Sequence, residues 1–361
     1  MTPLEREIRT LIAVEGPIPV SRYMALCLGH PTHGYYMTRD PIGMAGDFVT
    51  APEISQMFGE LVGLWAAQTW IDLGRPSPFA LVELGPGRGT LMADALRAAK
   101  VAPGFLQAAA VHLVETSPVL RARQRATLAS PPAALGGGVH WHASLDDVPD
   151  RPVIALANEF FDALPIRQVV RDRGAWRERL VGIDAGGALA FGLAPDADPS
   201  VSYDAPDGAV LEIAAAGAAV MRALAARIVA CGGAALAIDY GHARTGFADT
   251  LQAVRRHAFA DPLVDAGEAD VTAHVDFAQL AQAAQDAGAR VFGPVTQGAL
   301  LRALGIEHRA RTLASRASAK ASEEIGAALT RLAGEGEDDM GVLFKALAVA
   351  HPRLSACAGF A

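Results

Sequence analysis

The chain has 361 residues, 51% of them hydrophobic, and a formal net charge of −8; that length supports a large core and, at about 150 residues per domain, two domains or one with big insertions. The negative balance argues against a nucleic-acid partner, and the well-separated Cys27, Cys231 and Cys357 give neither a disulfide framework nor metal-ligand spacing. The longest apolar runs, such as 214–221, fall well short of the roughly 20 residues that span a bilayer, and Met1 to Glu7 precedes no apolar signal core, so the expectation is a cytoplasmic protein without membrane insertion.

In chain order, Leu4, Ile8, Leu11 and Ile12 predict a first helix, and Pro19-Val20-Ser21 opens a second over Val20 to Leu28. The loop Gly29 to Met37 carries His30 and His33, which lack a carboxylate or cysteine at supporting spacing and are read as hydrogen-bonded loop residues with no metal. An irregular loop, Gly43 to Thr50, contains Asp47. Behind it Pro52 and Glu53 suit the first turn of a helix whose apolar face is Met57, Phe58, Leu61, Val62 and Trp65. Simple capping explains Thr50, Pro52 and Glu53 as well as function does.

Phe79 to Leu84 is an apolar run of buried-strand type, followed by Gly85-Pro86-Gly87-Arg88-Gly89 and a helical pattern from Thr90. Glycines at these places permit backbone angles closed to other residues and let a ligand approach main-chain N–H groups at a helix start. Thr90 stands where a dinucleotide fingerprint needs its third glycine, and a P-loop Gly-Lys-Ser/Thr is absent. What remains is acidic-x-Gly-x-Gly-x-Gly, which resembles the first motif of S-adenosylmethionine (SAM)-dependent methyltransferases. In that setting Glu83, Gly85, Pro86, Gly87 and Gly89 pack against the methionine part of the cofactor, with Glu83 toward its ammonium. The same reading requires an acid after the second strand for the ribose hydroxyls. Ala109 to Val114 ends at Glu115, for which a first-turn carboxylate opposite a helix dipole is the alternative. Val139 to His142 reads as a third strand, with Ser144 to Asp147 expected to flank the adenine.

Pro152 to Ala157 is a fourth strand running into Asn158-Glu159-Phe160-Phe161-Asp162-Ala163-Leu164-Pro165. Ligand groups gather at such carboxyl ends. A helical turn here would put Glu159 and Asp162 on one side beside two aromatic rings. Methyl transfer is an in-line displacement, and a guanidinium acceptor, always protonated, needs carboxylates to hold it and polarise one nitrogen. The alternative is a solvated or capping pair. Residues 166–193 turn to β character and read as a hairpin insertion, followed by an exposed connection over 194–208. Ala214 to Ala230 predicts a helix, and Ala234 to His242 a fifth strand with Asp239, Tyr240 and His242 as secondary site candidates. Helices over 277–287, 298–304 and 309–332, and strands over 290–297 and 342–349, complete the pattern.

Gly46 to Glu60, Val82 to Leu91, Asn158 to Pro165 and Ile238 to His242 together resemble the MidA-type family, from about Ser21 to His351. Its mitochondrial members are arginine methyltransferases that assist assembly of respiratory complex I. The resemblance implies an α/β fold built on a Rossmann-like class I methyltransferase sheet of seven strands, the last antiparallel. It also implies SAM as cofactor and a complex I core subunit as protein substrate. A small-molecule O- or N-methyltransferase and a non-catalytic SAM-binding assembly factor remain open, as does a homodimer. Glu83, the glycine motif, Glu115 and Asn158 would hold the cofactor, Asp47 and Glu53 would lie near the active-site mouth, and Glu159 and Asp162 near the acceptor. Asn158 stands where mitochondrial members carry a histidine, which argues against a proton-transfer role for it. The expected layout is an N-terminal helical segment with active-site loop (1–75), the first half of the SAM-binding domain (76–165), a β-rich insertion facing substrate or partner (166–215), and the second half with a helical insertion (216–361).

Overall fold

A computed structural model describes residues 1–43 and 46–360. Met44 and Ala45 of the expected irregular loop lie outside the described residues. The main sheet contains β1 (Phe79–Leu84), β2 (Ala109–Val114), β3 (Val139–His142), β4 (Val153–Asn158), β5 (Gly233–His242), β6 (Arg290–Thr296) and β7 (Phe344–Ala350). Their order across the sheet is β3-β2-β1-β4-β5-β7-β6. The first five run parallel, and β7 inserts antiparallel between β5 and β6. The chain reverses direction across the sheet at β1, where the order turns from β3-β2-β1 to β4-β5. A ligand crevice is expected outside the strand ends at that point. A two-residue strand, Val275–Asp276, extends the sheet by pairing with the end of β5.

Both faces of the central strands are covered, which is why β1, β2 and β4 are nearly continuous apolar runs. Leu81, Val111, Ile154 and Leu156 point to one side, Ala80, Val82, Ala155 and Ala157 to the other, as the two-residue strand period requires. The first side packs against α3 (Gln56–Asp72) and α4 (Thr90–Ala98), the second against α6 (Ala215–Cys231) and α7 (Phe277–Asp286). Gly59 and Gly63, one turn apart on α3, allow close approach to α4: a Cβ on Gly63 would lie 2.5 Å from the Cα of Ala95, and one on Gly59 2.6 Å from the Cβ of Asp94. That crossing fixes the helix that begins at the glycine turn.

A third core cluster joins α1 (Pro3–Glu15) and α2 (Val20–Gly29) to other parts of the chain. Leu4, Ile8, Tyr23 and Met24 pack with Val181, Ala253 and Val271. The insertion is larger than a hairpin: strands Arg167–Asp172, Ala175–Ile183, Leu189–Leu193 and Val210–Ile213 form an antiparallel sheet that Ile18–Pro19 completes. A three-stranded sheet over Gln252–Arg255, Ala258–Ala260 and Asp270–Thr272 has no counterpart in the sequence reading, because its strands are too short to show a period.

Two helix boundaries also differ from expectation. The helix predicted from Pro52 is interrupted at Ser55, which is extended (φ −161°) and accepts from Met57 N, so Ala51–Ile54 is a separate turn ahead of α3. The 309–332 stretch is two helices, Ile306–Ala314 and Ala319–Ala333, the second capped by Ser318. Gly63→Val tests the α3–α4 crossing. Its clash is with backbone, which cannot swing aside, so stability measured by urea unfolding should fall by about 1–3 kcal/mol; an unchanged midpoint would show that the crossing is not tightly packed.

Candidate active site

The switch point carries a cavity of about 320 Å³. Its wall is built from the glycine turn (Gly85 to Arg88), the acids Glu53, Glu83, Glu115 and Glu159, and Asn158. Apolar side chains, among them Leu28, Ile42, Phe48 and Phe160, close it. Gly85, Gly87 and Gly89 all have positive φ (61°, 52° and 81°). Side chains at the first two would strike Phe160 and Ile42, at 2.9 and 2.8 Å. Gly89 sits at the N-terminal cap of α4, outside the cavity wall.

Glu83 is buried, its Oε2 has no hydrogen-bond partner among the described residues, and burial together with the nearby Glu115 pushes its pKa well above the usual range. A buried oxygen left unpaired at the wall of a cavity fits a cationic ligand group such as an ammonium. Glu115 is also buried, which raises its pKa. Its Oε1 accepts from Ser117 N at 2.8 Å and its Oε2 from Gln124 Nε2 at 3.1 Å, leaving lone pairs for hydroxyl donors. These residues fit a SAM molecule held along the turn. Ser144 to Asp147 is not part of the wall: Ser144 and Asp147 cap their own short turn reciprocally, and Leu28, Gly29, Tyr36 and Met37 line the cavity instead.

Glu159 and Asp162 are close in the chain but do not share a helical turn. Glu159 has φ 51°, a strained angle for a non-glycine residue, and the segment that follows is an irregular turn. Asp239 holds it. Its Oδ2 accepts from the main-chain N–H groups of Phe160, Phe161 and Asp162 at 3.1, 3.0 and 3.2 Å, and its Oδ1 from Tyr240 N at 2.9 Å. Glu159 lines the cavity. Its Oε1 accepts from Ala51 N (3.0 Å) and Asn158 Nδ2 (2.9 Å), which leaves Oε2 without a partner among the described residues. Asp162 is buried behind the wall, and its Oδ1 and Asn158 Oδ1 have no hydrogen-bond partner among the described residues. Burial raises Glu159 to about 7 and Asp162 to about 6. Asp270, buried and bonded by Tyr36 Oη at 2.8 Å, is likewise pushed well up. The sequence reading did not single out Asp270 or Gln124.

The remaining candidates hold the segment that covers the cavity. Glu53 accepts from Thr90 Oγ1 at 2.5 Å, tying Ala51–Ile54 to the start of α4. Asp47 lies outside the wall. Its carboxylate accepts from Tyr35 Oη and Arg256 N, both at 2.7 Å, and its carbonyl accepts from His257 N. Arg88, the one cation in the wall among the described residues, is paired with Asp40 at 3.0 Å and with the wall acid Glu53 at 3.7 Å. His30 and His33 stack and face Glu7, at 3.1 and 3.4 Å, and His242 faces Asp276 at 3.6 Å.

The raised carboxyls predict a pH effect. Between an unfolded value near 4 and folded values of about 6 and 7, the folded chain binds more protons than the unfolded one. Stability from these groups is therefore complete below the unfolded value and is lost as pH rises through the folded values. The melting temperature of the ligand-free protein should fall from pH 5 to 7.5 more steeply than that of the Glu159→Gln/Asp162→Asn double variant. Equal slopes would contradict the assignment.

Residues 61–295 match the family described as "putative S-adenosyl-L-methionine-dependent methyltransferase". The Mus musculus protein named protein arginine methyltransferase NDUFAF7, mitochondrial, is 39% identical over 346 residues, covering 90% of this chain and 79% of that protein. The Drosophila melanogaster homolog of that name is 39% identical over 374 residues, covering 96% and 84%. A Burkholderia thailandensis protein crystallised with S-adenosyl-homocysteine superposes with a TM-score of 0.85 at 32% identity, covering 99% of this chain and 94% of that one. The chain belongs to this family of SAM-dependent methyltransferases.

Proposed function

We propose that the protein transfers the methyl group of SAM to an arginine side chain of another protein, a core subunit of respiratory complex I during its assembly. The observation that carries this reading is the charge of the site. Glu83, Glu115 and Glu159 line the cavity, and Asp162, Asp239 and Asp270 are buried outside its wall, the last two bonded to the wall residues Phe160 and Tyr36; none of the six has a Lys or Arg salt bridge among the described residues, and burial raises the pKa of each. Such a site favours cationic ligands. The arginine methyltransferase names of the relatives support the acceptor class.

When bound, SAM supplies an activated methyl on a sulfonium that leaves as a neutral thioether. The glycine turn, Glu83 and Glu115 would hold its methionine and ribose parts. Glu159 Oε2 would accept an N–H bond from the incoming guanidinium, and Asp162, buried behind the wall, would add negative charge beside it. The bond to Glu159 draws positive charge toward the nitrogen it binds, leaving another nitrogen more electron-rich for in-line attack. The methylated nitrogen must then lose a proton, and Glu159, with a pKa near 7, can take it at neutral pH.

Incubation with labelled SAM and a lysate from a strain lacking the gene should label a protein band on arginine, and Glu159→Gln or Asp162→Asn should remove most of it. Label found only in small molecules would favour a metabolite methyltransferase. No transfer despite SAM binding would leave an assembly factor without catalysis. Gly87→Val should abolish SAM binding while circular dichroism stays unchanged, since its side chain would enter the cavity wall; retained affinity would contradict the donor site.

A further inference from the structure

Gln124, on α5 (Pro118–Thr127), is fully buried between the two halves of the donor site. Its amide orientation is fixed by Trp141, because an indole N–H only donates: Trp141 Nε1 gives its proton to Gln124 Oε1 at 3.0 Å. Nε2 then spends its two protons on the Gly87 carbonyl (2.8 Å) and on Glu115 Oε2 (3.1 Å). The same side chain therefore joins the glycine turn after β1 to the acid after β2, and packs where a Cβ on Gly89 would reach it at 3.5 Å. Fixing the Gly87 carbonyl also fixes the Arg88 N–H, which points the opposite way across the trans peptide.

We propose that Gln124 is a positioning residue for donor binding: anchored on the Gly87 carbonyl, it aims Glu115 at the ribose hydroxyls. The proposal rests on the SAM site described above. Without the carboxamide, Glu115 Oε2 loses its only hydrogen-bond donor among the described residues, and the carboxylate can rotate about the bond that Ser117 N makes to Oε1. Trp141, with the Arg125 guanidinium 4.2 Å from its ring centroid, serves as the outer prop that keeps the amide from flipping.

The test is calorimetric binding of S-adenosyl-homocysteine and of its 2′,3′-dideoxy analogue to the wild type, Gln124→Leu, Glu115→Gln and the double variant. Gln124→Leu should weaken S-adenosyl-homocysteine about tenfold, the scale of one hydrogen bond to a charged group, while changing affinity for the dideoxy analogue little. In the Glu115→Gln background the further loss should be less than about twofold, because coupled residues do not add. Equal loss for both ligands, or full additivity, would make Gln124 a general packing residue and overturn the proposal. If Glu115→Gln itself fails to reduce the preference for the ribose diol, the ribose assignment falls instead. Should Gln124→Leu not fold, Trp141→Phe gives the second arm: a smaller loss confined to the diol-bearing ligand is expected, and none would contradict the proposal.

Discussion

Burying a carboxylate costs several kcal/mol unless a cation or a set of donors meets it, and this fold concentrates that cost in one place. Elsewhere the chain pairs its buried acids. Glu60 is bonded by Arg309 and Arg97, and Asp94 by Arg97. Around the cavity Glu83, Glu159 and Asp162 keep oxygens without a partner among the described residues, and Asp270 accepts from the Tyr36 hydroxyl. Without ligand, such groups relieve the cost by holding protons. With a ligand they ionise against the cations it brings, and both the methyl donor and a guanidinium acceptor are cationic.

The same constraint explains why the backbone around the cavity is so heavily tied. Asp239 closes the turn after β4 with three main-chain N–H bonds, which keeps Glu159 in a left-handed conformation that it would not hold alone. Phe160 of that turn packs over Gly85, so the donor turn and the acceptor turn touch. From the other side, Glu53 bonds Thr90 and the Ala51 N–H bonds Glu159, so the covering segment reports on both. These contacts join the glycine turn, the turn after β4 and the covering segment into one unit.

Much of the frame was legible in the sequence. β1 and β2 begin and end where their largely apolar runs do, because strands buried on both faces read that way. Glu83 is legible from its place ahead of the glycine turn, Glu115 and Glu159 from their places after strands, and all three line the cavity. Other features lie beyond a one-dimensional reading. Gln124 acts through contacts with Gly87, Glu115 and Trp141, each set by tertiary packing, and a glutamine on an amphipathic helix gives no local sign of that. Asp270 belongs to a three-residue strand with no period to reveal it. Glu159 and Asp162 were expected on a helical turn, but Asp239, 77 residues after Asp162, imposes a different backbone there.

The central claim is that the site stores protons on buried carboxylates until a cation arrives. It is tested most directly by titration calorimetry near pH 6.5 in buffers of differing ionisation enthalpy, comparing SAM with S-adenosyl-homocysteine. The two ligands differ by the sulfonium charge. The account predicts that SAM binding releases more protons than binding of the neutral thioether. Equal release, or none with either ligand, would contradict it.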